Sequence, residues 1–283
     1  MRIALLVVFL LFPLFALEGA GGFVPTNGIQ TYFEDVGEGE PIVFIHGFSL
    51  DHRMWQGQME FAEHYRVVRY DVRGHGRSAA DLPWTSADQV ADLLALLDHL
   101  KIQRVHLVGL SMGGGIAVNF ALAHPERVKS LVLAAPGIEG FFFSPESMQR
   151  WLALMETCRA QSAGACREKM LAEPIFHGVR QRPELFAEVR TILQDFPLKT
   201  LSNPYMPPAS PTPLERLPEI HVPTLVLIGA RDDADLRAIA DIAAQRIPGA
   251  RKKVFQNAGH LLNLEQPAEF NAALEAFLKE SAK

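Results

Sequence analysis

Between the apolar run Val105-His106-Leu107-Val108 and the helix-like stretch Gly114 to Ala121 lies Gly109-Leu110-Ser111-Met112-Gly113, a G-x-S-x-G pentapeptide. A strand that enters a helix through so short a link must turn sharply, and glycine on either side of the serine removes the Cβ atoms that would obstruct the turn. The local structure is thereby confined to a strand, an elbow and a helix, with Ser111 projecting from the carboxyl edge of a sheet. The run Gly113-Gly114-Gly115 lacks the lysine-serine ending of a phosphate loop and the G-x-G-x-x-G spacing of a dinucleotide turn, so these glycines are read as close helix packing.

Strand-like runs recur along the chain: Ile29 to Glu34, Ile42 to Ile45, Arg66 to Tyr70, Val105 to Val108, Lys129 to Ala134, Thr224 to Ile228 and Lys252 to Phe255. Helical patterns alternate with them. Ser86 to His99 places Val90, Leu93, Leu94 and Leu97 on one face behind a Ser86…Gln89 capping box, and Pro267 opens a last helix carrying Phe270, Leu274 and Leu278. Such alternation predicts an α/β fold with a mostly parallel sheet covered by helices on both faces.

Three of the strands end in residues that chemistry can use. Pro41 to Ile45 runs into His46-Gly47-Phe48, Thr224 to Ile228 into Gly229-Ala230-Arg231-Asp232, and Lys253 to Phe255 is followed by Asn257-Ala258-Gly259-His260. Serine, acid and histidine thus occur in the order of the α/β-hydrolase triad. With the turn Asp71-Val72-Arg73-Gly74-His75-Gly76-Arg77-Ser78 and the segment Leu264-Glu265-Gln266-Pro267, the chain resembles the α/β-hydrolase superfamily from about Phe23 to Leu278. The resemblance implies Ser111 as nucleophile, His260 as general base and then acid, and Asp232 as the orienter of the imidazole. It also implies an oxyanion hole made by the N–H groups of Phe48 and Met112. Asp233 and Asp235 stand beside Asp232 and the proline common after the family aspartate is missing; Asp232 has the family spacing, with Asp233 in reserve.

The alternation breaks over residues 137–213, where helical patterns (Ser147 to Cys158, Cys166 to Glu173, Pro183 to Gln194) replace strands and a proline-rich connection follows. This is where the family places its cap, leaving 23–136 and 214–283 as the core. Phe141, Phe142, Trp151 and Met155 are expected to line an apolar substrate pocket over Ser111. Cys158 and Cys166 are the chain's two cysteines, free apolar side chains in one reading and a disulfide clamp in the other.

The first 22 residues read as a signal peptide: Met1-Arg2, then an apolar run from Ile3 to Leu17 that Pro13 interrupts, then Gly19, Ala20, Gly21 and Gly22. The run is shorter than the roughly 20 residues a membrane span needs. A periplasmic or secreted protein with no stable span after cleavage is expected, and an uncleaved anchor is the alternative. A net charge of −5 gives no electrostatic reason for nucleic-acid binding. His46 is expected to brace its loop, His75 and His106 to be structural, and the remaining histidines lack the paired spacing of a metal site. These readings predict an enzyme needing no cofactor or metal, acting on a small-molecule carboxylic ester. Lactonase, C–C hydrolase, perhydrolase and aminopeptidase chemistry run on the same motifs, and a non-catalytic binder is the reading from another class. The oligomeric state is not encoded in any of these motifs.

Overall fold

In the computed structural model, which describes residues 20–204 and 206–281, the apolar runs become eight strands. These are β1 (Ala20–Thr26), β2 (Ile29–Val36), β3 (Pro41–Ile45), β4 (Arg66–Tyr70), β5 (Val105–Leu110), β6 (Val128–Ala134), β7 (Thr224–Gly229) and β8 (Arg251–Phe255). They form one sheet in the order β1-β2-β4-β3-β5-β6-β7-β8, antiparallel over β1, β2 and β4 and parallel from β4 to β8. β5 and β7 are buried along their whole length, as parallel strands covered on both faces must be.

The helices are α1 (Ser86–His99), α2 (Met112–Ala123), α3 (Pro145–Ala160), α4 (Ala163–Ala172), α5 (His177–Arg180), α6 (Pro183–Gln194), α7 (Pro213–Arg216), α8 (Ala234–Arg246), α9 (Leu262–Glu265) and α10 (Pro267–Ser281). Helix α2 is apolar almost all round, with Ile116, Ala117, Val118, Phe120 and Ala121 buried, which marks it as a helix enclosed by its neighbours. Helices α3 to α6 all fall between β6 and β7, so the segment without strands is an insertion in an otherwise regular α/β alternation. Cys158 near the end of α3 and Cys166 in α4 are joined by a disulfide that closes the turn between these two helices.

Two details differ from expectation. Ala20–Thr26, whose Ala20 to Gly22 lie in the expected leader, forms an edge strand paired with β2 from Ala20↔Asp35 to Thr26↔Ile29; the rest of that leader, residues 1–19, lies outside the described residues. The capping box of α1 is Thr85 with Asp88 rather than Ser86 with Gln89: Asp88 N–H donates to Thr85 Oγ1 and Thr85 N–H donates to Asp88 Oδ2. Ser86 instead turns its hydroxyl to Glu139 Oε2 at 3.1 Å. Asp88 carries a full charge at the positive end of the helix, which Gln89 cannot supply.

Candidate active site

The parallel strands all point their carboxyl ends to one edge of the sheet, and Ser111 follows β5 there. Its backbone sits at φ 53°, ψ −115°, a region that costs a non-glycine residue on the order of 1–3 kcal/mol and persists only where surroundings enforce it. They do so from both sides: Ser111 N–H donates to Ala134 O (2.9 Å), and Ser111 O accepts from Gly115 (3.1 Å) and Gly137 (2.9 Å). The flanking glycines are required by contact. A Cβ on Gly109 would collide with Gly113 O, and one on Gly113 with Ile45 O, so any side chain at either position would push α2 off the sheet.

Asp232 and His260 come from the ends of β7 and β8. His260 Nδ1 lies 2.9 Å from Asp232 Oδ2, with both side chains buried. The carboxylate can only accept, so Nδ1 carries a proton, and in the neutral ring it is Nε2 that offers a lone pair. Asp232 Oδ1 accepts from Asp233 N–H at 2.7 Å. The neighbouring acids have other partners: Asp233 caps α8 and pairs with Arg150, and Asp235 accepts from the backbone and hydroxyl of Ser144. The geometry therefore separates Asp232 from Asp233 and Asp235 where spacing alone left a reserve.

The loop after β3 lies against the elbow, since a Cβ on Gly47 would stand 3.6 Å from Ser111 Cβ. His46 braces this loop. Val72 N–H donates to its Nε2 at 2.9 Å, so Nδ1 is the protonated nitrogen and donates to Gly47 O at 2.8 Å. Burial holds its pKa below the usual histidine value, which keeps the ring neutral. Phe48 follows, and Met112, first residue of α2, has an N–H with no partner inside the helix. Phe48 packs edge-on against His75 (5.5 Å), Phe196 (5.3 Å) and Trp151 (6.1 Å). Burial drives the pKa of His75 down to about 3, so this ring packs against Phe48 and Phe196 as a neutral side chain.

The pocket residues expected from sequence divide. Trp151 meets Phe48, Phe141 packs against Phe143 at 5.4 Å, and Met155 is buried in the hydrophobic core. Phe142 does not line a pocket: it is 95% exposed. Three aromatics in succession cannot all face inward from an extended segment, and the middle one projects outward. Phe196, from the loop after α6, is a buried partner of Phe48 that the sequence reading missed. Its neighbour Pro197 marked it as loop, and nothing local signalled its approach to Phe48.

Asp51, His52 and Asp71 converge closely enough to suggest a cation site, but protein donors occupy all four carboxylate oxygens. Asp71 accepts from His52 N–H, His52 Nδ1 and Arg77 N–H, and Asp51 from the backbone and guanidinium of Arg53. Burial opposes charge on His52, yet its hydrogen bonds to Asp71 and Glu34 prevail and lift its pKa to about 9. A group already cationic in this way is a poor metal ligand.

Residues 42–273 match the sequence model of the alpha/beta hydrolase family. The chain belongs to this family. Solved relatives share the whole architecture. An esterase from Thermogutta terrifontis is 29% identical, with a TM-score of 0.80 over 94% of this chain and 100% of that one. The enol-lactonase from Burkholderia xenovorans LB400 is 28% identical, with a TM-score of 0.78 over 91% and 100% of the two chains. The 2-hydroxy-6-oxo-6-phenylhexa-2,4-dienoate hydrolase of Comamonas testosteroni is 29% identical over 282 residues, 88% of this chain and 91% of that protein. Among alpha/beta hydrolases, then, this chain is similar to members acting on several kinds of bond, and it is an enzyme of the hydrolase class.

Proposed function

We propose that the chain hydrolyses carboxylic esters with an apolar acyl or alkyl group through an acyl-enzyme on Ser111. The observation that carries this reading is the strained backbone of Ser111 at the amino end of α2. Ser111 Oγ attacks the ester carbonyl and its proton passes to Nε2 of His260, whose other nitrogen is fixed by Asp232. The carbonyl oxygen takes the negative charge, and the N–H groups of Phe48 and Met112 are the donors we assign to it. His260 then protonates the departing alcohol. A water gives its proton to His260, attacks the acyl carbon, and the carboxylic acid leaves as Ser111 regains the proton. Every proton and charge is handled by side chains and backbone, so the reaction needs no cofactor.

The aromatic cluster that Phe48 forms with Trp151 and Phe196, beginning at the loop that lies against Ser111, supports an apolar substituent, with the helical insertion acting as a cap. Likeness to an enol-lactonase supports a cyclic ester as the second substrate class. The apolar leader further supports export from the cytoplasm. The test is a panel of aryl esters of increasing acyl length, run with lactones and a vinylogous diketone beside Ser111→Ala. Turnover rising with acyl length and lost in Ser111→Ala supports the ester reading. Turnover confined to lactones or the diketone would replace it.

A further inference from the structure

Asp232 and His260 each stand beside a residue linked to the insertion, Asp233 directly and Gly259 through Glu265. After Asp232 comes Asp233, whose Oδ2 is 2.5 Å from Arg150 Nη2 on α3. Before His260 comes Gly259, whose N–H donates to Glu265 Oε2 at 2.9 Å, and that same oxygen is 3.3 Å from Arg182 Nη1 at the start of α6. We propose that the insertion is a working part of the catalytic apparatus, with Glu265 as the positioning residue that ties the His260 loop to it. This rests on reading Ser111, His260 and Asp232 as the catalytic set.

Glu265 is a costly residue to place where it is. Its side chain is 2% exposed, and its Oε1 has no hydrogen-bond partner among the described residues. A buried carboxylate with one oxygen unmatched persists where its other contacts compensate, and here they are Gly259 on one side and Arg182 on the other. Helix α5 is shaped to admit it: a Cβ on Gly178 would occupy the site of Oε2, so the glycine lets the carboxylate reach the insertion. Gly178 O also accepts from Arg182 Nη1 at 3.3 Å, which aims the guanidinium at Glu265. Backbone bonds such as Arg231 N–H to Ala258 O already hold the two loops to each other. The ion pairs add a link to a third body, the insertion. A shift of about 1 Å at a catalytic group is enough to cost on the order of a hundredfold in rate.

The experiment follows the rate at which an aryl phosphonate labels Ser111, a readout that needs the triad but no knowledge of the natural ester. Arg182→Met, Arg182→Lys, Glu265→Gln, the Arg182→Met/Glu265→Gln double variant and the wild type are compared, with thermal melts to show that each is folded. Arg182→Met and Glu265→Gln should each slow labelling about tenfold, the double variant should be no slower than the slower single one, and Arg182→Lys should restore most of the rate. Labelling of Arg182→Met within about twofold of wild type, or losses that multiply in the double variant, would overturn the proposal. If Glu265→Gln fails to fold, the contrast between Arg182→Met and Arg182→Lys decides it. Absence of labelling in the wild type itself would overturn the catalytic reading, and the positioning role with it.

Discussion

Three aspartates crowd the end of β7, and their fates differ by their partners. Asp232 holds the proton-bearing nitrogen of His260, whereas Asp233 caps a helix and meets Arg150, and Asp235 serves Ser144. Removing Asp232 releases the imidazole tautomer and exposes the developing imidazolium to an uncompensated interior. Asp232→Asn should therefore lower kcat by about a thousandfold or more, while Asp233→Asn, which disturbs only the neighbouring link, should lower it far less. Steady-state kinetics on one aryl ester checks both; equal losses would mean that the acid has been misassigned. Sequence spacing already favoured Asp232, but it could not separate residues one position apart, because a shift of one residue at a strand end is settled by where the loop folds back.

At the level of elements, periodicity carried most of the information. The apolar runs of β3 to β8 stand where they were read, because buried strands must show their burial in the residues themselves. The buried face of α1, by contrast, takes in Leu96 beside Val90, Leu93 and Leu97 and leaves Leu94, read as part of the stripe, only partly buried. Boundaries were less legible. Thr85-x-x-Asp88 and Ser86-x-x-Gln89 are offset by one residue, and in the structure Glu139, more than fifty positions away, claims the Ser86 hydroxyl. The helical insertion was legible as helices, but not in how it packs. Its α3–α4 turn is closed by Cys158–Cys166, with a sequence separation of 8. Loop-closure entropy for so short a loop gives about 2–3 kcal/mol. Cys158→Ala/Cys166→Ala should thus lower the thermal midpoint and should loosen α3 and α4 most, seen as faster amide exchange in those helices than in the sheet. Unchanged exchange there would show that packing alone holds the pair.

The whole molecule is a sheet with its reacting groups after β5, β7 and β8 and a charged network that joins the end of β4 to β2. The order of strands and motifs made the fold legible from sequence, since five motifs in fixed succession leave few arrangements open. β1 was not: Ala20-Gly21-Gly22 reads as the small residues of a cleavage region, and its strand state comes from pairing with β2. Nor was the network beside it, where His52 lies between Asp71 and Glu34 and Glu34 also binds Arg69. Hydrogen bonding from His52 draws the pKa of Glu34 down to about 2, while that of His52 rises to about 9. The raised histidine stabilises the fold fully below its ordinary value near 6.5, and that contribution is lost as pH rises through 9; the lowered glutamate contributes above about 4.5 and is lost as pH falls through 2. Urea melts should show stability falling between about pH 6.5 and 9, with the slope flattened in His52→Gln; an equal slope in that variant would remove His52 as its source.

Intact-protein and peptide mass spectrometry after exposure to an aryl phosphonate bears most directly on the serine chemistry. A single adduct on Ser111 is expected, abolished in Ser111→Ala and slowed at least about a hundredfold in His260→Ala. An adduct on any other residue, or labelling of Ser111 at an undiminished rate without His260, would contradict it.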